Sequence, residues 1–272
     1  MRRFLFAVVL VVTCATGAAA DTFEDADSAY TRGDYARAAQ LIRRLAEQGY
    51  ARAQSNLGVM YHRGKGVPRN DQEALKWWRK AAEQGDALAQ TGLGWLYSYG
   101  QGIPQDYQGA LKWYRKAAEQ GDPQAQISLG NMYSNGLGTP QDDQEALMWY
   151  RKAAEQGNVL AQTSLGLMYA NGQRVSQNDK EAVKWYRKAA EQGDAPSQFD
   201  LGVMYAMGRG VSQDFIHAHM WYNVAAAGLS GDSQNNAMEN RERVASQMTA
   251  AQMKKAREMA RRCQETKFMN CD

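Results

Sequence analysis

Five glutamates, Glu47, Glu83, Glu119, Glu155 and Glu191, recur in the phrase "AEQG", and carboxylates brought side by side are the smallest equipment for general acid–base chemistry. Such chemistry needs one carboxyl with a distinctive partner or an apolar setting to raise its pKa. Neither is visible in any copy, including the phrase "WYRKAAEQGD" that stands at 113–122 and again at 185–194. Arg115, four residues before Glu119, suggests instead a surface ion pair worth a few tenths of a kcal/mol. His217 and His219 are two residues apart, which points their rings to different helix faces, unlike the four-residue spacing of helical metal pairs. His219 also holds the register of Leu75, Leu111, Leu147 and Val183, so it is expected in the core, and His62, alone near a loop, is given no role. There is no phosphate loop, no dinucleotide glycine motif and no Cys/His zinc spacing. No catalytic residue, metal ligand or cofactor is therefore assigned, and the protein is read as a non-enzyme.

The elements that would carry these residues follow from self-similarity. Glycines 49, 85, 121, 157 and 193 are each 36 residues apart, and "LG" with a following Tyr recurs in phase at 57, 93, 129, 165 and 201. In each unit a first helix is predicted from stripes such as Ala89, Leu93, Leu96 and Tyr97. A second follows from Ala110, Leu111, Trp113, Tyr114, Ala117 and Ala118. Between them lie loops such as "YGQGIPQDY", whose glycines allow positive φ and whose proline stops a helix. Asn70, Asp106, Asp142, Asn178 and Asp214 then suit N-caps for the second helices, with Glu73, Glu145 and Glu181 completing capping boxes in three of them. Gly58, Gly94, Gly130, Gly166 and Gly202 fall inside the first helices, which implies close approach of the paired helix. Trp77, Trp113, Trp149, Trp185 and Trp221 are expected to fill the remaining core.

A chain of 272 residues with 44 % hydrophobic content can bury a substantial core. Its opening, "MRRFLFAVVLVVTCATGAAA", has two arginines, a short apolar run and small residues at its end, which is the pattern of a secretory signal cleaved after Ala20. Loss of Arg2 and Arg3 from the 32 basic residues leaves 30 against 29 acidic ones, a balance that argues against a nucleic-acid partner. No integral membrane segment is expected after cleavage, and the location is read as periplasmic or secreted. In an oxidising compartment Cys263 and Cys271 are expected to pair and pin the C-terminal tail. The basic run "KKAREMARRC" is read as a solvated helix face.

The in-phase "A-x-A-Q-x-x-L-G-x-x-Y", the "G-x-G" loop and "A-L-K-W-Y-R-K-A-A-E-Q-G" resemble the Sel-one-like repeat family, relatives of the tetratricopeptide repeat, over residues 46 to 228. The resemblance implies an all-α fold, a right-handed superhelical solenoid of antiparallel helix pairs. It divides the chain into a signal peptide at 1–20, a tetratricopeptide-like opening pair at 21–49, five 36-residue repeats at 50–228 and C-terminal capping helices with a tail at 229–272. Arg174 replaces the second loop glycine of its unit, so that loop is expected to differ in shape. Some cysteine-rich relatives are linked to β-lactam binding or hydrolysis, which makes such an enzyme the alternative reading. No Ser-x-x-Lys occurs in the chain, however, and the cysteine pair of every repeat in that subgroup is missing.

Repeat solenoids present an extended concave surface, lined in tetratricopeptide-like stacks by the first helix of each pair. Once the repeated Leu, Gly and Tyr are assigned to packing, the residues left for partner binding are Arg52, Val59, Arg63, Trp95, Tyr99, Ile127, Asn131, Asn135, Leu167, Asn171, Phe199 and Met207. Trp95 stands out because its counterparts are Val59, Asn131, Leu167 and Val203, so the scaffold does not demand it. With Tyr99 one turn on, it could anchor a peptide. The function expected is an exported scaffold that binds a protein or peptide in envelope regulation or assembly, with a host-interaction factor as a further alternative.

Overall fold

In a computed structural model, residues 23–268 and 271 are described; the expected signal sequence, with cleavage expected after Ala20, lies outside them. The described residues are helical with no strand, and they fall into two units divided between Gln141 and Asp142. The first unit contains α1 (23–31), α2 (Tyr35–Glu47), α3 (Ala51–Arg63), α4 (Asp71–Glu83), α5 (Ala87–Tyr99), α6 (Tyr107–Glu119) and α7 (Pro123–Asn135). The second contains α8 (Asp143–Glu155), α9 (Val159–Asn171), α10 (Asp179–Ala190), α11 (Ala195–Met207), α12 (Phe215–Gly228), α13 (Gly231–Ala245) and α14 (Ala250–Glu265). From α2 to α7 and from α8 to α13 consecutive helices pack on one another, α14 packs on α12, and first helices also touch in series, α3 on α5 and α5 on α7, then α9 on α11. This is the all-α solenoid architecture of stacked helix pairs. Among the described residues no helix is long and apolar enough to cross a membrane.

Local sequence explains the boundaries. Asn70, Asp106, Asp142, Asn178 and Asp214 cap the second helices, as at Asn70, whose side chain accepts from the N–H groups of Gln72 and Glu73. The reciprocal half of the expected capping box is absent at Glu73 and Glu145: each carboxylate instead accepts from an indole N–H one turn on, Trp77 to Glu73 at 3.2 Å and Trp149 to Glu145 at 3.0 Å. At two of the three expected boxes the cap N–H is already used: Asn70 N donates to the Tyr61 carbonyl and Asn178 N to that of Tyr169, both at 2.9 Å. The last residue of "AEQGD" has a role of its own. Asp86 and Asp122 cap α5 and α7, accepting from Ala89 and Ala125 at 2.7 Å, so one phrase ends a helix and starts the next.

Packing centres on Leu57 and Leu93 in the first unit and on Leu165, Leu201, Trp221 and Tyr222 in the second, all fully buried. The helix-interior glycines do permit close approach, but of an aromatic ring rather than of helix backbone. A Cβ on Gly94 would lie 2.6 Å from the Tyr114 ring, and one on Gly58 would lie 2.4 Å from Trp78. Each tryptophan of the "W-[YW]-R-K" phrase is roofed by the lysine three residues on, with Lys116 Nζ 4.7 Å from the Trp113 ring centre and Lys152 Nζ 4.1 Å from that of Trp149. Arg174 overturns the expectation of a differently shaped loop. Its φ of +63° lies beside the +70° of Gly210 and +69° of Gly138 at the same register, and its guanidinium holds Asp143 at 3.2 Å. At the C-terminus the sulfurs of Cys263 and Cys271 are bonded, and the intervening Phe268 ring lies against Gly193.

Candidate functional site

Residues that repeat are engaged in packing or lie on a solvated face. The five "AEQG" glutamates are all exposed. The arginine expected to pair with Glu119 turns elsewhere: Arg115 Nη2 donates to the Tyr133 hydroxyl, as Arg79 does to Tyr97 at 3.2 Å and Arg151 to Tyr169 at 2.6 Å. The phrase's Arg therefore ties its helix to the "LGxxY" tyrosine of the following one. Its Gln does the same in the interior. Gln120 Nε2 donates to Gln90 Oε1 at 2.8 Å, and Gln90, 3 % exposed, donates to the Ala82 carbonyl at 3.3 Å. The pattern repeats in the second unit, from Gln192 to Gln162 and from Gln162 to the Ala154 carbonyl. Buried amides with both ends satisfied hold successive helices in register.

Residues that do not repeat converge in the first unit. The Trp95 ring lies 5.0 Å from that of Tyr99 one turn on, and 4.6 Å edge-on from His62 in the preceding first helix. His62 also meets Trp78 at 5.6 Å. Its Nδ1 is 2.7 Å from Asp71 Oδ1, while Arg69 holds the other oxygen at 3.0 Å. The contact with Asp71 fixes the imidazole ring in orientation against Trp95. Tyr99 is 62 % exposed, and Trp95 is half-buried between it and His62. The arrangement is an aromatic ledge with a polar edge, suited to stacking and apolar contact. His62 is the component to which sequence reasoning gave no role, although it falls on the same first-helix face. Its signal is the matching register of His62 and Ser98, one turn beyond Val59 and Trp95, which brings it beside Trp95 when first helices stack.

The other expected binding residues are distributed between the units. In the first, Arg52, Arg63, Asn131 and Asn135 are exposed and Val59 is half-buried. Arg52 covers the Phe23 ring at 5.4 Å, and Asn135 turns back to the Asn131 carbonyl at 2.8 Å. Ile127 is a correction: only 2 % exposed, it offers nothing to a partner. Its counterpart Thr91 shows why, since at this register the side chain turns into the stack, where Thr91 Oγ1 reaches Asp122 at 3.1 Å. In the second unit Leu167, Asn171 and Met207 are exposed, Met207 by 66 %, and Phe199 is half-buried with its ring 5.5 Å from that of Tyr222.

The histidines of "HAH" separate as their spacing requires. His219 is buried, its pKa lowered by desolvation and by the charges of Arg241 and Arg257 against the opposing pull of Glu242. His217 bonds Asp214 at 2.7 Å and stacks on Tyr205. Among the described residues no group of three or more His, Cys, Asp or Glu is placed to hold a metal ion.

The family model described as "Sel1 repeat" matches residues 26–50, 51–86, 87–122, 123–158, 159–194 and 195–228. The first of these segments falls on the α1–α2 pair. Among solved structures, a Sel1 repeat protein from Oxalobacter formigenes is 36 % identical, covering 81 % of this chain and 86 % of its own, with a TM-score of 0.70. A Sel1 repeat protein from Klebsiella pneumoniae subsp. pneumoniae is 25 % identical over 76 % of this chain and 99 % of its own, TM-score 0.48. The protein c5321, a protective antigen of uropathogenic Escherichia coli strains with an SLR fold, is 25 % identical over 91 % and 84 %, TM-score 0.37. No curated protein matches the sequence. Six matched repeats spanning most of its length make this chain a member of the Sel1 repeat family.

Proposed function

We propose that the protein is an exported scaffold that captures a protein or peptide partner on the first-helix face of its repeats, in envelope regulation or assembly. The Sel1 repeat fold is typical of protein–protein interaction, and one observation carries the assignment of the face. Trp95 and Tyr99 form a contiguous aromatic pair, more than half exposed at Tyr99, at positions the packing of other repeats fills with unrelated residues. Large, rigid aromatics of this kind dominate recognition energetics at protein interfaces. The pairing of Cys263 with Cys271 and the signal-like opening support an oxidising compartment outside the cytoplasm.

The test is substitution. Trp95→Ala and Tyr99→Ala should each weaken capture of the partner at least tenfold, in pull-downs from envelope extracts quantified by mass spectrometry. Helical content should be unchanged, and Tyr99→Ala should alter stability by no more than about 0.5 kcal/mol, as expected of an exposed side chain. Unaltered capture by both variants would remove the assignment.

A further inference from the structure

We propose that a cleft beside Asp200 in the second unit is a binding site for a cation carried on a short apolar stem, as at the end of a lysine side chain. The cleft measures about 160 Å³ and is lined by Pro196, Phe199 and Asp200 of α11, Leu229 at the end of α12, and Ser233 and Asn236 of α13. That volume resembles an engineered cavity of about 150 Å³ that admits benzene, so a stem of a few carbons fits. Pro196, Phe199 and Leu229 supply apolar walls, Asp200 a single anionic end, and Ser233 and Asn236 further oxygen acceptors beside it.

Asp200 is out of pattern. The same register holds Asn56, Gly92, Ser128 and Ser164 in the other repeats, so the fold does not call for a carboxylate there. Its surroundings do not neutralise it either. The Tyr186 hydroxyl faces it, and the other charge acting on it is the carboxylate of Asp194. Arg209, whose charge acts on Tyr186, is engaged elsewhere, with two nitrogens on Asp179 at 2.7 and 3.2 Å and one on the Ala170 carbonyl at 2.7 Å. Burial, with the repulsion of Asp194 added, pushes the Asp200 carboxyl up to about 6 against the opposing pull of the Tyr186 hydroxyl. A carboxylate set into an apolar cleft without a counter-ion of its own is a matched receptor for an incoming cation. The site is built from residues of the second unit alone, and its test needs no partner protein, so either reading can fail alone.

The probe is n-butylammonium, with uncharged n-pentanol as its control, added to the whole protein at constant ionic strength while the Asp200 carboxyl carbon is followed by NMR. Butylammonium should shift that resonance saturably and lower the midpoint of its titration by about one pH unit at saturation, which is a tenfold preference of the cation for the ionised form. Pentanol should do neither. In Asp200→Asn, and in Asp200→Ser, which restores the residue found at 128 and 164, the saturable response of the Phe199 and Ser233 amides should disappear. An unshifted Asp200 midpoint, an equal effect of pentanol, or an undiminished amide response in a folded Asp200 variant would overturn the proposal.

Discussion

Gln90 shows how a single repeated residue is committed to structure. Its amide bridges the Ala82 carbonyl and the Gln120 side chain while buried to 3 % exposure, so Gln90→Leu would leave both partners facing an apolar group. The expected loss is about 1 to 3 kcal/mol, read from thermal or denaturant unfolding, whereas Glu119→Ala on the exposed face should change stability by no more than about 0.5 kcal/mol. Asp200 behaves in the opposite sense. Its folded-state pKa, raised to about 6, lies above the ordinary 3.8, so the folded chain holds this proton more tightly than the unfolded one. The resulting contribution is complete below about pH 4 and is lost as pH rises through 6. Asp200→Asn should therefore match the wild type near pH 4 and exceed it at pH 8 by about 1 to 3 kcal/mol, a difference that melting curves across this range would show. Equal melting at both values would contradict the burial of this carboxyl.

Between helices, the pairing of an aromatic ring with a small residue sets the spacing. Trp78 occupies the register of Tyr114, Tyr150, Tyr186 and Tyr222, and the residue facing it is Gly92, where the later repeats carry Ser128, Ser164 and Asp200. A Cβ at 92 would lie 2.7 Å from the indole, so the larger ring and the missing side chain compensate each other. Gly92→Ser alone should cost about 1 to 3 kcal/mol, and Trp78→Tyr in the same chain should recover most of it. A double-mutant cycle by denaturant unfolding measures this, with a coupling of at least about 0.5 kcal/mol expected. The helices, their loops and their caps were legible in the sequence because each is written by local rules repeated in phase: an Asx cap, an interior Leu-Gly, a glycine stop. What escaped were contacts set by which neighbour a side chain reaches. Nothing in the spacing said that Glu73 would serve Trp77 instead of its own cap, that Arg115 would choose Tyr133 over Glu119, or that Ile127 would turn into the stack. His62 belongs with these, since its place in the site depends on Trp95 from the next first helix.

For the molecule as a whole, the proposed reading puts repetition and function on different residues. Every position of "WYRKAAEQGD" that could have done chemistry is engaged in packing or lies on a solvated face, and the departures from the pattern, Trp95, Tyr99 and Asp200, occupy first helices. The Sel1 fold supplies the helices, and in the proposed reading specificity falls to those exceptions. A photo-crosslinking residue placed at Tyr99 in living cells, compared with the same residue at Glu119, tests this division most directly. A discrete adduct should form from position 99, disappear when Trp95→Ala is added, and be absent from position 119. An adduct from 119 with none from 99, or one at 99 that survives Trp95→Ala undiminished, would contradict it.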